Sequence, residues 1–321
     1  MRKRIISIDL IRGAAIVMMV MGHVGFGNSF AHWINGFHMP IFFFISGYFF
    51  YEKSSIKDTF IKKVFSIMLP YYIWGLGYYF LWLVSVKNHE EWWIPLRSIF
   101  WSCTDGNLPF NQSLWFLPSL FCVEIIYVLI NRVRVNHTFI VILLAFLAFI
   151  LNPQLIQLPW GLNASLVGIG FYHLGYKSRE KLLLYNVSII EAILLGMVGS
   201  VCIAFNSKVS LWGATYGNPL LFWSGAILMI FSLWFLMKKI GMGQPVVRPI
   251  SYIGEHSLIY LCINQFVINI CFHIISHSVL EKITVTILVI LTGYILEKII
   301  YAMRLEFVLG KNIWRFEGEN K

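Results

Sequence analysis

Stretches of about twenty predominantly apolar residues recur along this chain, and they constrain its fold more than any other feature. Hydrocarbon offers no hydrogen-bond partners. A backbone crossing it must satisfy its own N–H and C=O groups, either within helices or around a closed barrel. The runs here are continuous rather than alternating with period two, which selects helices and excludes the barrel. They fall near residues 8–27, 38–51, 64–86, 113–130, 138–151, 161–176, 186–205, 218–237, 250–272 and 283–304. The expected fold class is therefore all-α, a polytopic integral membrane protein of about ten transmembrane helices. The second and fifth runs are short for a core of roughly 30 Å, so they are expected to stand nearly upright or to cross thinned, protein-lined regions. A segment at 92–101, with Trp92, Trp93 and Trp101, reads as interfacial, because tryptophan favours the headgroup level. Only 12% of the residues are charged, about half the usual share of a soluble domain.

The net charge of +10 would suit nucleic acid if it were gathered on one surface. It is spread instead in short clusters between the apolar runs, which argues against a nucleic-acid partner and for the lipid bilayer. With the N-terminus inside, nineteen Lys and Arg residues fall in inner segments, from Arg2, Lys3 and Arg4 to Lys311, Arg315 and Lys321. Four fall in outer loops: Lys87, Arg97, Lys208 and Lys282. This asymmetry obeys the positive-inside rule and predicts cytoplasmic termini and an even span count. A bacterial plasma membrane is the expected location. The opening MRKR and its apolar run resemble a secretory signal, but Asp9 and Arg12 interrupt the run and no small-residue cleavage site follows. An uncleaved first span is expected. No repeat or long linker divides the chain, so residues 1–321 read as a single membrane domain with a short tail from about 305. The five cysteines show no CxxC or metal spacing and read as packing residues, with no metal expected.

Ionisable side chains within spans are costly, and each is a functional hypothesis. The first span carries Asp9, Arg12 and His23. Asp9 and Arg12 are three apart and share a helix face. The eleven residues from Arg12 to His23 return to within roughly 20° of one face and separate the two by about 16 Å along the axis. One stripe thus holds a cation near the inner end and an imidazole halfway across or beyond. That suits a long ligand with a phosphate end and a reactive end, since arginine grips phosphate and histidine is the commonest general base near neutral pH. Spacing alone fits better the plainer reading, an interfacial Asp9–Arg12 pair and a His23 bonded to a neighbouring helix. His38 opens the second span on the side that His23 approaches. Lys62 and Lys63 precede Pro70 and Tyr71, and read either as a topology signal or as a second phosphate clamp facing Arg12. Glu124 lies inside an apolar stretch and needs a partner or a proton; it is a candidate to orient a histidine or to pair with an arginine, and reads as readily as a structural ion pair. His273 and His277 have spacing for a metal pair but no third ligand. His173 and Glu191 read as packing or interfacial groups, and Glu297 and Lys298 lie near the inner end of the last span, where lysine can snorkel.

These residues sit in ordered motifs. SIDLIRGAAIVMMVMGH contains Arg12 and His23, and FHMPIFFFISGYFF contains His38. KKVFSIMLPYY contains Lys62, Lys63 and Tyr71; SLWFLPSLFCVEIIY contains Trp115 and Glu124; and ISYIGEHSLIYLCINQFVI lies near the ninth span. Together, over nearly the whole chain, they resemble the family-3 membrane acyltransferases, and within them the fucose 4-O-acetylase-like group. The family often has histidine where Asn264 stands and arginines where Lys62 and Lys63 stand. The latter change keeps charge but loses the planar bidentate grip.

The resemblance implies an acetyl-CoA-dependent O-acetyltransferase acting on a carbohydrate: an exopolysaccharide, a lipid-linked sugar or a wall polymer. Acetyl-CoA is then expected to enter from the cytoplasm, held by Arg12, Lys62, Lys63, Tyr71 and Trp115. Catalysis is expected from His23 or His38, with Glu124 or Asp9 orienting or charging the constellation. The rival from another class is a proton-coupled transporter or flippase, which also uses intramembrane Asp, His and Glu; the inverted repeats common in carriers are not visible in the sequence.

Overall fold

Glycine decides where the helices approach most closely. The computed structural model describes residues 5–51, 55–85, 91–150, 158–240, 247–273 and 278–311. These fold into helices α1 (Ile6–Val24), α2 (Asn28–Asn35), α3 (His38–Tyr48), α4 (Ile56–Lys63), α5 (Leu69–Ser85), α6 (Trp93–Phe100) and α7 (Phe116–Ile130). There follow α8 (His137–Ile150), α9 (Leu162–Leu184), α10 (Ile189–Phe205), α11 (Pro219–Lys239), α12 (Val247–Glu255), α13 (Ser257–Phe272) and α14 (Val279–Ala302). A Cβ on Gly13 would lie 1.9 Å from the Ile250 carbonyl oxygen, and one on Gly254 would lie 1.8 Å from that of Asp9. Helices α1 and α12 therefore meet backbone to backbone. Gly47 against Tyr172 and Gly175 against Phe44 do the same for α3 and α9, at 1.8 and 1.9 Å. In lipid, where apolar burial between helices gains little, such small-residue contacts supply the packing that drives association. They fix the two helices that carry Arg12, His23 and His38.

Among the described residues, five helical stretches are long and apolar enough to cross a membrane: Ile6–Val24, Ile56–Ser85, Gln112–Ile130, Pro219–Lys239 and Val279–Ala302. His137–Ile150, Ile189–Phe205 and Ser257–Phe272 are shorter apolar helices. Large side chains such as Phe139, Ile142, Phe146, Leu194 and Leu291 are exposed on the outer surfaces of α8, α10 and α14. An apolar surface of this kind fits a lipid solvent. The segment at 92–101 forms α6, and its Trp92, Trp93 and Trp101 are exposed.

Three stretches depart from the expected spans. The short helix α2 precedes α3 and carries no long apolar run. The run at 250–272 is broken at His256, whose ψ of 27° and φ of −111° separate α12 from α13. The run at 64–86 starts earlier, in α4, and passes through a π-helical turn at Val64–Met68 before α5. Pro70 has no N–H to donate to the Ser66 carbonyl one turn back, and Leu69 instead donates to Val64 in the wider register. The basic residues Arg2, Lys3, Arg4, Lys53, Lys87, Arg315 and Lys321, with His277, lie outside the described residues.

Side-chain bonds tie the connections together on two faces. On one, Arg179 donates to the Phe50 carbonyl (3.1 Å) and Lys238 to that of Tyr185 (2.9 Å). On the other, His32 donates to Ile203 O (2.8 Å), Lys282 to Gly25 O (2.7 Å) and Trp160 to Phe100 O (2.8 Å). We call these the basic face and the opposite face.

Candidate active site

Helix α1 touches two separate cavities. Its C-terminal turn, with Met19, Gly22 and His23, lines a cavity of about 290 Å3 toward the opposite face. The remaining wall comes from α2, from the start of α3, from the 3-10 turn Gln112–Trp115 that leads into α7, from Ser210–Trp212 and from α13. His23 and His38 both face this space. His23 is exposed, although it belongs to a packed helix, whereas His38 is 7% exposed. His23 Nδ1 lies 2.7 Å from Asn264 Oδ1, and His38 Nδ1 lies 2.8 Å from the Ile34 carbonyl oxygen. Each partner atom accepts, so the geometry fits an Nδ1–H donor in both rings, with Nε2 left out of that bond. The wall also has aromatic faces, Trp115 and Trp212, and amide or hydroxyl groups on Asn35, Gln112, Ser113, Ser210 and Gln265. Amides, hydroxyls and indole rings are what a hydroxyl-rich ligand can bond and stack on.

Near the N-terminal end of α1, Arg12 lines a larger cavity of about 910 Å3 toward the basic face, with Lys62, Lys63, Ser46, Thr59 and Glu124. Aromatic rings from Phe49, Phe50, Tyr51 and Tyr172 complete it. The Arg12 guanidinium sits 5.3 Å from the centre of the Phe49 ring, a cation–π distance. Lys63 Nζ is 2.7 Å from Glu124 Oε1, and the Tyr172 hydroxyl donates to Glu124 Oε2 at 3.0 Å. Lys62 is exposed. This is a cationic, ring-lined space suited to phosphate and a flat heterocycle. Between the cavities, Ala15 and Ile16 of α1 are packed, with 0% and 1% exposure.

The structure thus brings Arg12, Lys62 and Lys63 together at one cavity and His23 and His38 at the other. Four expectations are corrected. Glu124 pairs with Lys63 and Tyr172 rather than orienting a histidine. It stands nine residues beyond Trp115 along one helical rod, roughly 14 Å deeper, and so belongs to the other cavity. Trp115 faces the histidines rather than the cations for the same reason. Asp9 is buried at 8% exposure and its charge acts on Arg12, one turn away, not on the imidazoles. Tyr71 lines neither cavity; it is fully buried, and its hydroxyl donates to the Ile99 carbonyl at 2.7 Å. Asn264, Ser113, Gln112, Gln265 and Trp212 join the site without having been singled out as site residues. A buried asparagine inside an apolar run was the available signal, because such a group needs partners. Among the described residues no cluster of three His, Cys, Asp or Glu side chains has metal-holding geometry.

A helical, multi-pass membrane protein with a cationic cavity and a histidine-lined cavity on one helix is the class that fold and site define. Residues 5–298 match the acyltransferase domain of the family-3 acyltransferases, and the chain belongs to that family. It is a membrane acyltransferase. No curated protein and no solved structure matches the chain.

Proposed function

We propose that the protein is an O-acetyltransferase of the bacterial plasma membrane that moves an acetyl group from cytoplasmic acetyl-CoA to a hydroxyl of a cell-surface carbohydrate or its lipid-linked precursor. The observation that carries this reading is the pairing, on α1, of a cationic cavity at Arg12 with a histidine-lined cavity at His23. The order of motifs, which resembles the fucose 4-O-acetylase-like group, supports a carbohydrate acceptor, as do the indole and amide walls around His23.

The donor's phosphates meet Arg12, Lys62 and Lys63, and its flat base meets the rings of the basic-face cavity. Its thioester arm must span about 16 Å to reach His23, so the packing at Ala15 and Ile16 parts as the arm threads through. His23 serves as base rather than His38 because it is the more exposed of the two. Its Nε2 takes the acceptor hydroxyl proton, and the oxygen attacks the thioester carbonyl carbon. The C–S bond then breaks, and the departing thiolate takes the proton from Nε2–H. The products are the O-acetyl ester and free CoA. A hydroxyl is a weak nucleophile without such a base. An acyl-histidine route, with acetyl first on His23, uses the same geometry.

The test uses purified protein in nanodiscs, acetyl-labelled acetyl-CoA and an extract of surface glycans. Label arriving in glycan is the expected result. Label remaining on the protein and lost with His23→Ala indicates the two-step route. Absence of both, from folded protein that does not bind acetyl-CoA, overturns the reading in favour of a carrier.

A further inference from the structure

The partner of His23 is not a carboxylate but an amide, and every atom of that amide is committed. Asn264 is fully buried on α13. Its Nδ2 donates to two carbonyls of its own helix, Tyr260 O at 3.0 Å and Leu261 O at 2.8 Å. Carbonyls only accept, so the amide cannot be turned round, and Oδ1 must face α1. That oxygen receives His23 Nδ1 at 2.7 Å and the Ser113 hydroxyl at 3.4 Å. The helix behind it is braced as well. Asn111 donates to Leu261 O at 3.0 Å, Tyr78 to Cys262 O at 2.7 Å, and the Gln112 N–H to Gln265 Oε1 at 2.6 Å.

We infer that Asn264 is the positioning residue of the acyl-transfer site: it holds His23 in the tautomer with the proton on Nδ1 and presents the Nε2 lone pair to the cavity. The inference rests on the transferase reading above. An imidazole free to flip or to change tautomer presents a base only part of the time. A fixed acceptor removes that loss, as the aspartate does in hydrolase triads. A neutral amide does so without adding a charge that would keep the imidazole protonated. Among the described residues His38 is the other titratable side chain in this cavity wall.

The test is 15N NMR of histidine-labelled protein in nanodiscs, with the His23 resonances identified by their loss in His23→Gln. Wild type should show His23 protonated on Nδ1, and Asn264→Ala should show a tautomer mixture. In transfer assays Asn264→Ala should lose roughly 10- to 100-fold in kcat with unchanged acetyl-CoA binding, part of the up to about 10⁴-fold that a tautomer-fixing residue can supply. Asn264→Asp, close in size, exchanges the Nδ2 donor for an oxygen beside the Tyr260 and Leu261 carbonyls, and as a carboxylate it should move the acidic limb of the kcat/KM profile about one pH unit or more upward. An aspartate that does not touch His23 leaves that limb in place. His23 protonated on Nε2 in wild type overturns the inference, as does Asn264→Ala with wild-type tautomer and kcat. If wild type itself transfers no acetyl group, the transferase reading fails while the spectra still decide the tautomer.

Discussion

Lys63 and Glu124 form an ion pair of 2.7 Å in the wall of the basic-face cavity, with Tyr172 donating to the carboxylate's second oxygen. The pair keeps one of the three basic side chains there in reserve. A phosphate reaching Lys63 competes with Glu124. Glu124→Gln keeps a partner for Tyr172 but removes the charge. Because Lys63 is only partly buried, the loss of stability should be about 1–3 kcal/mol, below the cost of breaking a fully buried pair. Acetyl-CoA should bind roughly threefold tighter or better, since a half-exposed charge contact is worth up to about 1 kcal/mol. Thermal melts and calorimetry check both; weaker donor binding contradicts the assignment.

The Arg12 guanidinium stacks on Phe49 in the cavity wall, with Asp9 one turn away on α1. Arg12→Ala should raise the Kd for acetyl-CoA about 10- to 100-fold, the loss of a charge-assisted contact of roughly 1.5–3 kcal/mol. Arg12→Lys should recover part of it, because the planar grip is lost while the charge stays. Binding measured at rising salt should converge for the three proteins.

Helices α3 and α9 meet at Gly47, where an added Cβ would lie 1.8 Å from the Tyr172 carbonyl oxygen. Gly47→Ala must push the helices apart. The expected cost is at least the 1–3 kcal/mol typical of overpacking. Its signature is specific: Tyr172 moves away from Glu124, so donor affinity changes along with Tm. A variant with wild-type Tm contradicts the close contact.

Asp105 anchors the loop that leads to the Gln112–Trp115 turn. Burial pushes its carboxyl up, but hydrogen bonds from the Ser102 hydroxyl, the Asn107 N–H and the Ser98 hydroxyl outweigh that and hold it below the usual carboxylate range. A lowered folded pKa stabilises the fold above the unfolded value of about 4, and that stability is lost as pH falls through the folded value. Asp105→Asn should therefore lower Tm at pH 7, and the gap to wild type should close as pH drops below about 4. A gap independent of pH contradicts the account.

The relation of Arg12 to His23 was legible from spacing because both lie on one helix, whose pitch and rise are constants. The apolar runs located helices for the same reason. What was not legible depends on contacts between distant segments. Lys63 and Glu124 are 61 positions apart, and His23 and Asn264 are 241 apart; no local rule pairs them. Tyr71 misled because a tyrosine beside a basic pair is as good a packing residue as a ligand, and its hydroxyl found Ile99. The short α2 lacks a long apolar run, and the break at His256 sits inside one, so hydropathy reported neither. In the sequence Asn264 stands out only as a departure from the family's histidine, and its bond to His23 depends on α13 packing against α1.

The most direct measurement is acetyl transfer and acetyl-CoA binding on the same preparations of wild type and His23→Ala. On the proposed mechanism His23 supplies the base and stands outside the donor cavity, so the two readouts separate. The account predicts that His23→Ala binds acetyl-CoA like wild type and loses about 10²- to 10⁴-fold in kcat, the usual worth of a general base. Transfer at the wild-type rate, or lost donor binding in folded His23→Ala, would contradict it.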